Sequence, residues 1–150
     1  MKALLLLAWL SGASLVGGCA TSVARSTPEE MRAAPGATLR IASPIAYDRA
    51  FTKTRDQLMA CFQRVIGSTQ VAVTSDKTDT EGHLTLGMSS LFGYRIIATM
   101  TLHPAATGTD LVLYATNERW REKLQHGLTT WLVADAGGCP DDSVPAVSQN

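Results

Sequence analysis

The sequence has little of what usually announces a function. Only 17% of its 150 residues are charged, 13 Lys and Arg stand against 13 Asp and Glu, and there is no basic run. Nucleic-acid binding depends on neutralising phosphates, so a near-neutral chain of this kind is a poor candidate for it and for electrostatic capture by anionic lipid. Aromatics make up 6% and cysteines number three, with no CxxC spacing to suggest zinc or redox chemistry. No G-x-S-x-G frame surrounds Ser89-Ser90, which disfavours a hydrolase elbow. His83, His103 and His126 fall on three different expected elements without i,i+4 spacing, so metal ligation is not indicated. Asp76, Asp79 and Glu81 crowd one turn, but the D-x-[DN]-x-[DN]-G pattern of a calcium loop is missing and a solvated hairpin is the simpler reading. With no nucleophile and base in an evident pairing, the sequence predicts no enzyme, no cofactor and no metal.

What is present begins at the amino end. Lys2 supplies one positive charge, Ala3 to Leu10 form an apolar core, and small residues lead to Leu15-Val16-Gly17-Gly18-Cys19. Ser11, Gly12 and Ser14 interrupt the apolar stretch, leaving it short of the roughly 20 residues a spanning helix needs. The segment resembles the signal peptide and lipobox of bacterial lipoproteins, with Gly17 where Ala or Ser is more usual. The resemblance implies cleavage before Cys19, a diacylglycerol on its sulfur and usually an acyl group on the new amino terminus. Ala20 is in place of the Asp that commonly retains such proteins at the inner membrane, so the resemblance implies a lipid-anchored protein of the outer membrane facing the periplasm. The other reading is an ordinary secretory signal or a weak membrane anchor.

If Cys19 carries lipid, Cys61 and Cys139 remain in an oxidising compartment, and one disulfide between them is expected. Removing residues 1–18 leaves 12 Lys and Arg against 13 Asp and Glu, one net negative charge. Residues 19–37, rich in Ala, Ser, Thr and Pro, read as a lipidated terminus and flexible tether, able to span about 60 Å at ~3.4 Å per residue. Residues 38–139 read as one domain and 140–150 as a polar tail.

Within that domain, Thr38 to Ala42 is an expected strand. Tyr47, Phe51, Thr54, Leu58, Cys61 or Phe62, and Val65 form a helical stripe that Gly67 ends. Strand-like alternation follows at Gln70–Thr74, Leu84–Met88, Phe92–Leu102 and Leu111–Ala115. In the longest of these, Tyr94, Ile96, Ala98 and Met100 are expected on one face and Arg95, Ile97, Thr99 and Thr101 on the other. Asn117 caps a last helix, with Trp120, Leu124, Leu128 and Trp131 in its stripe. The fold class is α+β, an antiparallel sheet of four to five strands with two helices packed on one face. This order of strand, helix, four strands, helix is similar to the helix-grip and TBP-like folds of some envelope lipoproteins.

Two places suggest binding. Leu91 and Phe92 stand beside Gly93 at a strand junction, where an exposed loop would be a contact site, although alternation favours core entry of Phe92. Trp120 and Trp131 lie beside Arg119, Arg121 and Lys123; such a cluster suits an interface, while the spacing with Leu124 and Leu128 favours core packing for the two Trp. The expected function is a non-catalytic accessory or interaction module with an unidentified envelope protein partner. The alternative is a carrier of a small apolar or lipid-like ligand, which needs a cavity between sheet and helices.

Overall fold

The computed structural model describes residues 25–140. Cys19 and the leader lie outside the described residues, as do 141–150. The protein is α+β: an open, antiparallel six-stranded sheet in the order β1-β6-β5-β4-β3-β2, with three helices. Its strands are β1 (Ala37–Ser43), β2 (Arg64–Ile66), β3 (Thr69–Lys77), β4 (Gly82–Ser90), β5 (Gly93–Ala105) and β6 (Gly108–Ala115). The helices are α1 (Pro28–Ala33), α2 (Tyr47–Phe62) and α3 (Glu118–Leu132).

The expectation of four to five strands and two helices was short by one or two strands and one helix among the described residues. Strand β2 is the three-residue continuation of the chain after α2, where Val65 was expected to prolong the helical stripe. Val65 instead pairs with Gln70 in a tight β2–β3 hairpin and is 71% exposed. Helix α1 falls in the segment read as tether. A capping box explains it: the Thr27 hydroxyl accepts from the Glu30 amide, the Glu30 carboxylate accepts from the Thr27 amide, and Pro28 opens the first turn. Met31 then buries completely, and the Ile96 amide donates to the Arg25 carbonyl at 2.9 Å. The chain is therefore seated on the sheet from Arg25 onward, so residues 25–37 are not the flexible tether expected there.

Helices α2 and α3 share one sheet face, because their apolar stripes have no other surface to cover. Phe51, Leu58, Phe62, Leu124, Leu128 and Trp131 pack with Leu84, Leu86, Met100, Leu102, Leu111 and Leu113 in one core. Helix α1 lies over β5 and β6 on the opposite face. There a row of hydroxyl side chains crosses the sheet, Thr74, Thr85, Thr99, Tyr114 and Thr38 in successive register. Thr99 is fully buried, and its hydroxyl reaches the Leu84 carbonyl at 3.3 Å, satisfying a polar group that would otherwise be costly.

The two faces do not divide as strict alternation predicts. Leu86 pairs with Ala98 but Gly87 pairs with Ile96, so Ile97 is an extra residue in β5. Such a bulge reverses the phase of the strand before it. Ile97 joins the helix-side core together with Ala98. Arg95, opposite Met88, is on the helix side, and Tyr94, opposite Ser89, is on the other. Gly87 accommodates this switch, since a Cβ there would come within 2.1 Å of the Tyr94 hydroxyl.

After α3 the chain turns back as a strap along α2. Asp135 Oδ2 pairs with Arg49 at 2.7 Å and its Oδ1 with Lys53 at 2.6 Å. The Gly138 amide donates to Gln57 at 3.2 Å, and Cys139 is bonded to Cys61, as expected. Arg49, Lys53, Gln57 and Cys61 are spaced by four, one stripe of the helix. Trp131 completes the attachment by donating its indole N–H to the Gly138 carbonyl at 2.7 Å.

Candidate functional site

One end of the sheet collects most of the exposed large apolar side chains among the described residues; Met59 and Val133, on or beside the helices, are the others. Leu91 and Phe92 form a two-residue turn between Ser90 and Gly93, which pair across β4 and β5. The Ser90 hydroxyl accepts from the Phe92 amide at 3.2 Å and shapes the turn. Leu91 is 84% exposed and Phe92 90% exposed, so the expectation that Phe92 enters the core is overturned. The reason is local. A two-residue connection has no length to fold back, and both residues project beyond the last pair of the ladder.

Val65 and Ile66 join this end through β3, because Val65 pairs with Gln70 and Gln70 with Ser89. Ile66 and Tyr94 are also exposed. Arg64 and Arg95 lie one residue pair further in, across Val71 and Met88. Arg64 has its Nε and Nη2 buried without a hydrogen-bond partner among the described residues. No carboxylate occurs from Gln57 to Ser75 or from Gly82 to Thr109.

The second expected contact region lies at the same end. The Thr116 amide donates to the Ile97 carbonyl at 3.0 Å, which brings the start of α3 beside the start of β5. Asn117 caps that helix by accepting from the Trp120 amide at 3.0 Å. Arg119 is exposed there. Arg121 is committed to its own helix: it pairs with Glu118 and donates to Gln125 at 2.5 Å. The hydrogen bond with Glu118 is the largest cause of a raised Arg121 pKa, and the same bond holds the Glu118 carboxyl below its ordinary range. Trp120 packs against Phe62 at 6.3 Å between ring centroids, and Trp131 is wholly buried. The Trp and Arg cluster thus separates into two packed rings, one committed Arg and one outward Arg119.

The opposite end is polar. Strands β4 and β5 bring His83 and His103 to the same carboxylate, Glu81, at 3.6 and 3.7 Å, although sequence spacing kept these histidines apart. Among the described residues no three His, Cys, Asp or Glu side chains are arranged to hold a metal ion. Tyr47 donates to the Thr78 carbonyl at 2.9 Å, and burial above all raises its phenol pKa. A groove of about 330 Å³ lies between α1 and β3–β4, lined by Pro28, Glu29, Arg32, Asp76, His83 and Thr85 among others. It is on the face away from α2 and α3, not in the place a helix-grip ligand would occupy.

No family model matches the chain, and no curated protein does. Among solved structures, the crystal structure of protein NE0264 from Nitrosomonas europaea aligns with 62% of this chain and 84% of its own, at 10% identity and a TM-score of 0.29. Among the described residues, no helix is long and apolar enough to cross a membrane.

Proposed function

We propose that the chain is a lipid-anchored protein of the bacterial cell envelope, held at the outer membrane and facing the periplasm, whose domain is a non-catalytic accessory or interaction module. The observation that carries this reading is the sequence Leu15-Val16-Gly17-Gly18-Cys19, placed only six residues before Arg25, the first residue seated on the sheet. A Cys61–Cys139 disulfide suits an oxidising compartment. An acylated cysteine holds a protein stably when it carries more than one chain, since each buried methylene contributes about 0.8 kcal/mol. The domain then presents Arg119, Leu91 and Phe92 outward at the anchored end, and an envelope protein partner is expected to meet it around Arg119.

The carrier alternative, a helix-grip module holding an apolar ligand between sheet and helices, has less support. Trp131, Phe62, Leu58, Leu124 and Leu128 occupy that layer with no exposure to solvent. The decisive test of the anchor is Cys19→Ser. Labelling with radioactive palmitate should vanish and the precursor should persist; labelling that survives the substitution would remove the lipoprotein reading. Native mass spectrometry of the purified protein addresses the carrier, which requires a co-purifying ligand.

A further inference from the structure

We infer that the Leu91–Phe92 turn, with Val65, Ile66 and Tyr94 around it, is a second membrane attachment that inserts into the bilayer interface beside the lipid on Cys19. The inference rests on the lipid-anchor reading and adds the occupant of the apolar end: the membrane surface itself.

Reach decides it. Five residues lie between Cys19 and Arg25, so a fully extended connection of six Cα–Cα steps covers about 20 Å. Arg25 is fixed at Ile96, four residues from Phe92, or about 13 Å along the strand. The far turn at Ala106-Thr107 begins ten residues beyond Ile96, about 33 Å away. An anchored Cys19 therefore reaches the bilayer with the Leu91–Phe92 end close to it and falls short of the far end. The most exposed large apolar side chains of the described residues, Phe92 at 90%, Leu91 at 84% and Val65 at 71%, are all at the end within reach.

Charge follows the same division. Asp48, Asp76, Asp79, Glu81 and Asp110 belong to the far end, while the strand segments at the near end carry Arg64 and Arg95 and no carboxylate. Near the membrane, Glu118 and Glu122 of α3 both face Arg121. Entry of the turn to headgroup depth buries apolar groups and places the exposed Arg95 level with lipid phosphates. The chain is near-neutral as a whole, and the sorting is a property of its strands: among the helices and the strap, Arg49 and Lys53 pair with Asp135, Asp48 with Lys77, and α1 carries Glu29 and Glu30.

The test uses the full mature protein reconstituted into vesicles of phosphatidylethanolamine and phosphatidylglycerol. Cys61 and Cys139 are bonded to each other, so Phe92→Cys and Thr107→Cys each supply one site for an environment-sensitive fluorophore. The expected result is a blue-shifted emission at position 92, quenched several-fold more by spin-labelled lipid than at position 107. Equal, water-like emission at both positions would overturn the inference. A blue shift that lipid quenchers leave untouched would mean that a second copy covers the turn, and would overturn it too. Intact mass of the same preparation reads lipidation separately. If Cys19 is free, the label is placed in a Cys19→Ser background and vesicles are added: quenching at position 92 that Leu91→Ser abolishes upholds insertion without the anchor, and its absence rejects insertion.

Discussion

The strap after α3 and the turn after β4 invert the usual link between composition and attachment. Residues 134–139, Ala-Asp-Ala-Gly-Gly-Cys, have almost no apolar side chain to bury, yet they are held by two ion pairs, four further hydrogen bonds and a disulfide. Leu91 and Phe92 are strongly apolar and touch little but solvent. Polar sequence is loose only when no partner stripe exists, and here α2 supplies one at every fourth residue. Apolar sequence is buried only when the backbone has length to bring it home.

The difference between these regions is widest at the disulfide. Opening Cys61–Cys139, by reduction or by Cys61→Ser with Cys139→Ser, releases a closure of sequence separation 78. The chain-entropy account sets the loss at about 4.5 kcal/mol, as an upper value; urea unfolding of both forms measures it. Trp131→Phe should come next. It removes the indole donor to the Gly138 carbonyl and part of a fully buried ring, for a loss of about 2 kcal/mol, and amide exchange in the strap should quicken. A midpoint unchanged in Trp131→Phe would mean that the indole hydrogen bond adds nothing to the hold of the disulfide and the ion pairs on the strap.

Smaller still is Asp135→Asn. Lys53 foremost, with Arg49, lowers the Asp135 pKa in the folded protein. A carboxyl with a depressed folded value stabilises above its unfolded pKa and loses that effect as pH falls through the folded value. The parent and Asp135→Asn should therefore differ slightly at neutral pH and converge in acid, as followed by unfolding midpoints across pH; the pair is exposed, so the gap stays small. At the other region, Phe92→Ser should change stability by less than about 0.5 kcal/mol. A large loss there would show that the turn is part of the fold after all.

Much of this architecture is legible in the residues. The alternation of β5 from Ala98 onward, the stripes of α2 up to Phe62 and of α3, and the Asn117 cap all follow local periodicity. Helix α1 had its own signal, Thr27-Pro28-x-Glu30, hidden by a composition that resembles a linker. The ladder Arg49, Lys53, Gln57, Cys61 is visible as a spacing of four, but its partner strap has no periodicity of its own. The exchange of Tyr94 and Arg95 between faces was not legible, because a single inserted residue at Ile97 leaves the hydrophobic pattern intact while reversing its phase. The meeting of His83 and His103 at Glu81 likewise depends on strand register, which a sequence does not display.

Sheet order also fixes a sequence of events in folding. Strands β3 to β6 join neighbours through connections of a few residues, closures that form fast because little loop entropy opposes them. Strand β1 has no such neighbour: Ala37 faces Ala115, across most of the domain. The N-terminal strand, and α1 ahead of it, must wait for β6 to be made. The first described part of the chain is thus made before its partner and is expected to be among the last to dock, where the Gly36 amide donates to the Ala115 carbonyl at 2.9 Å.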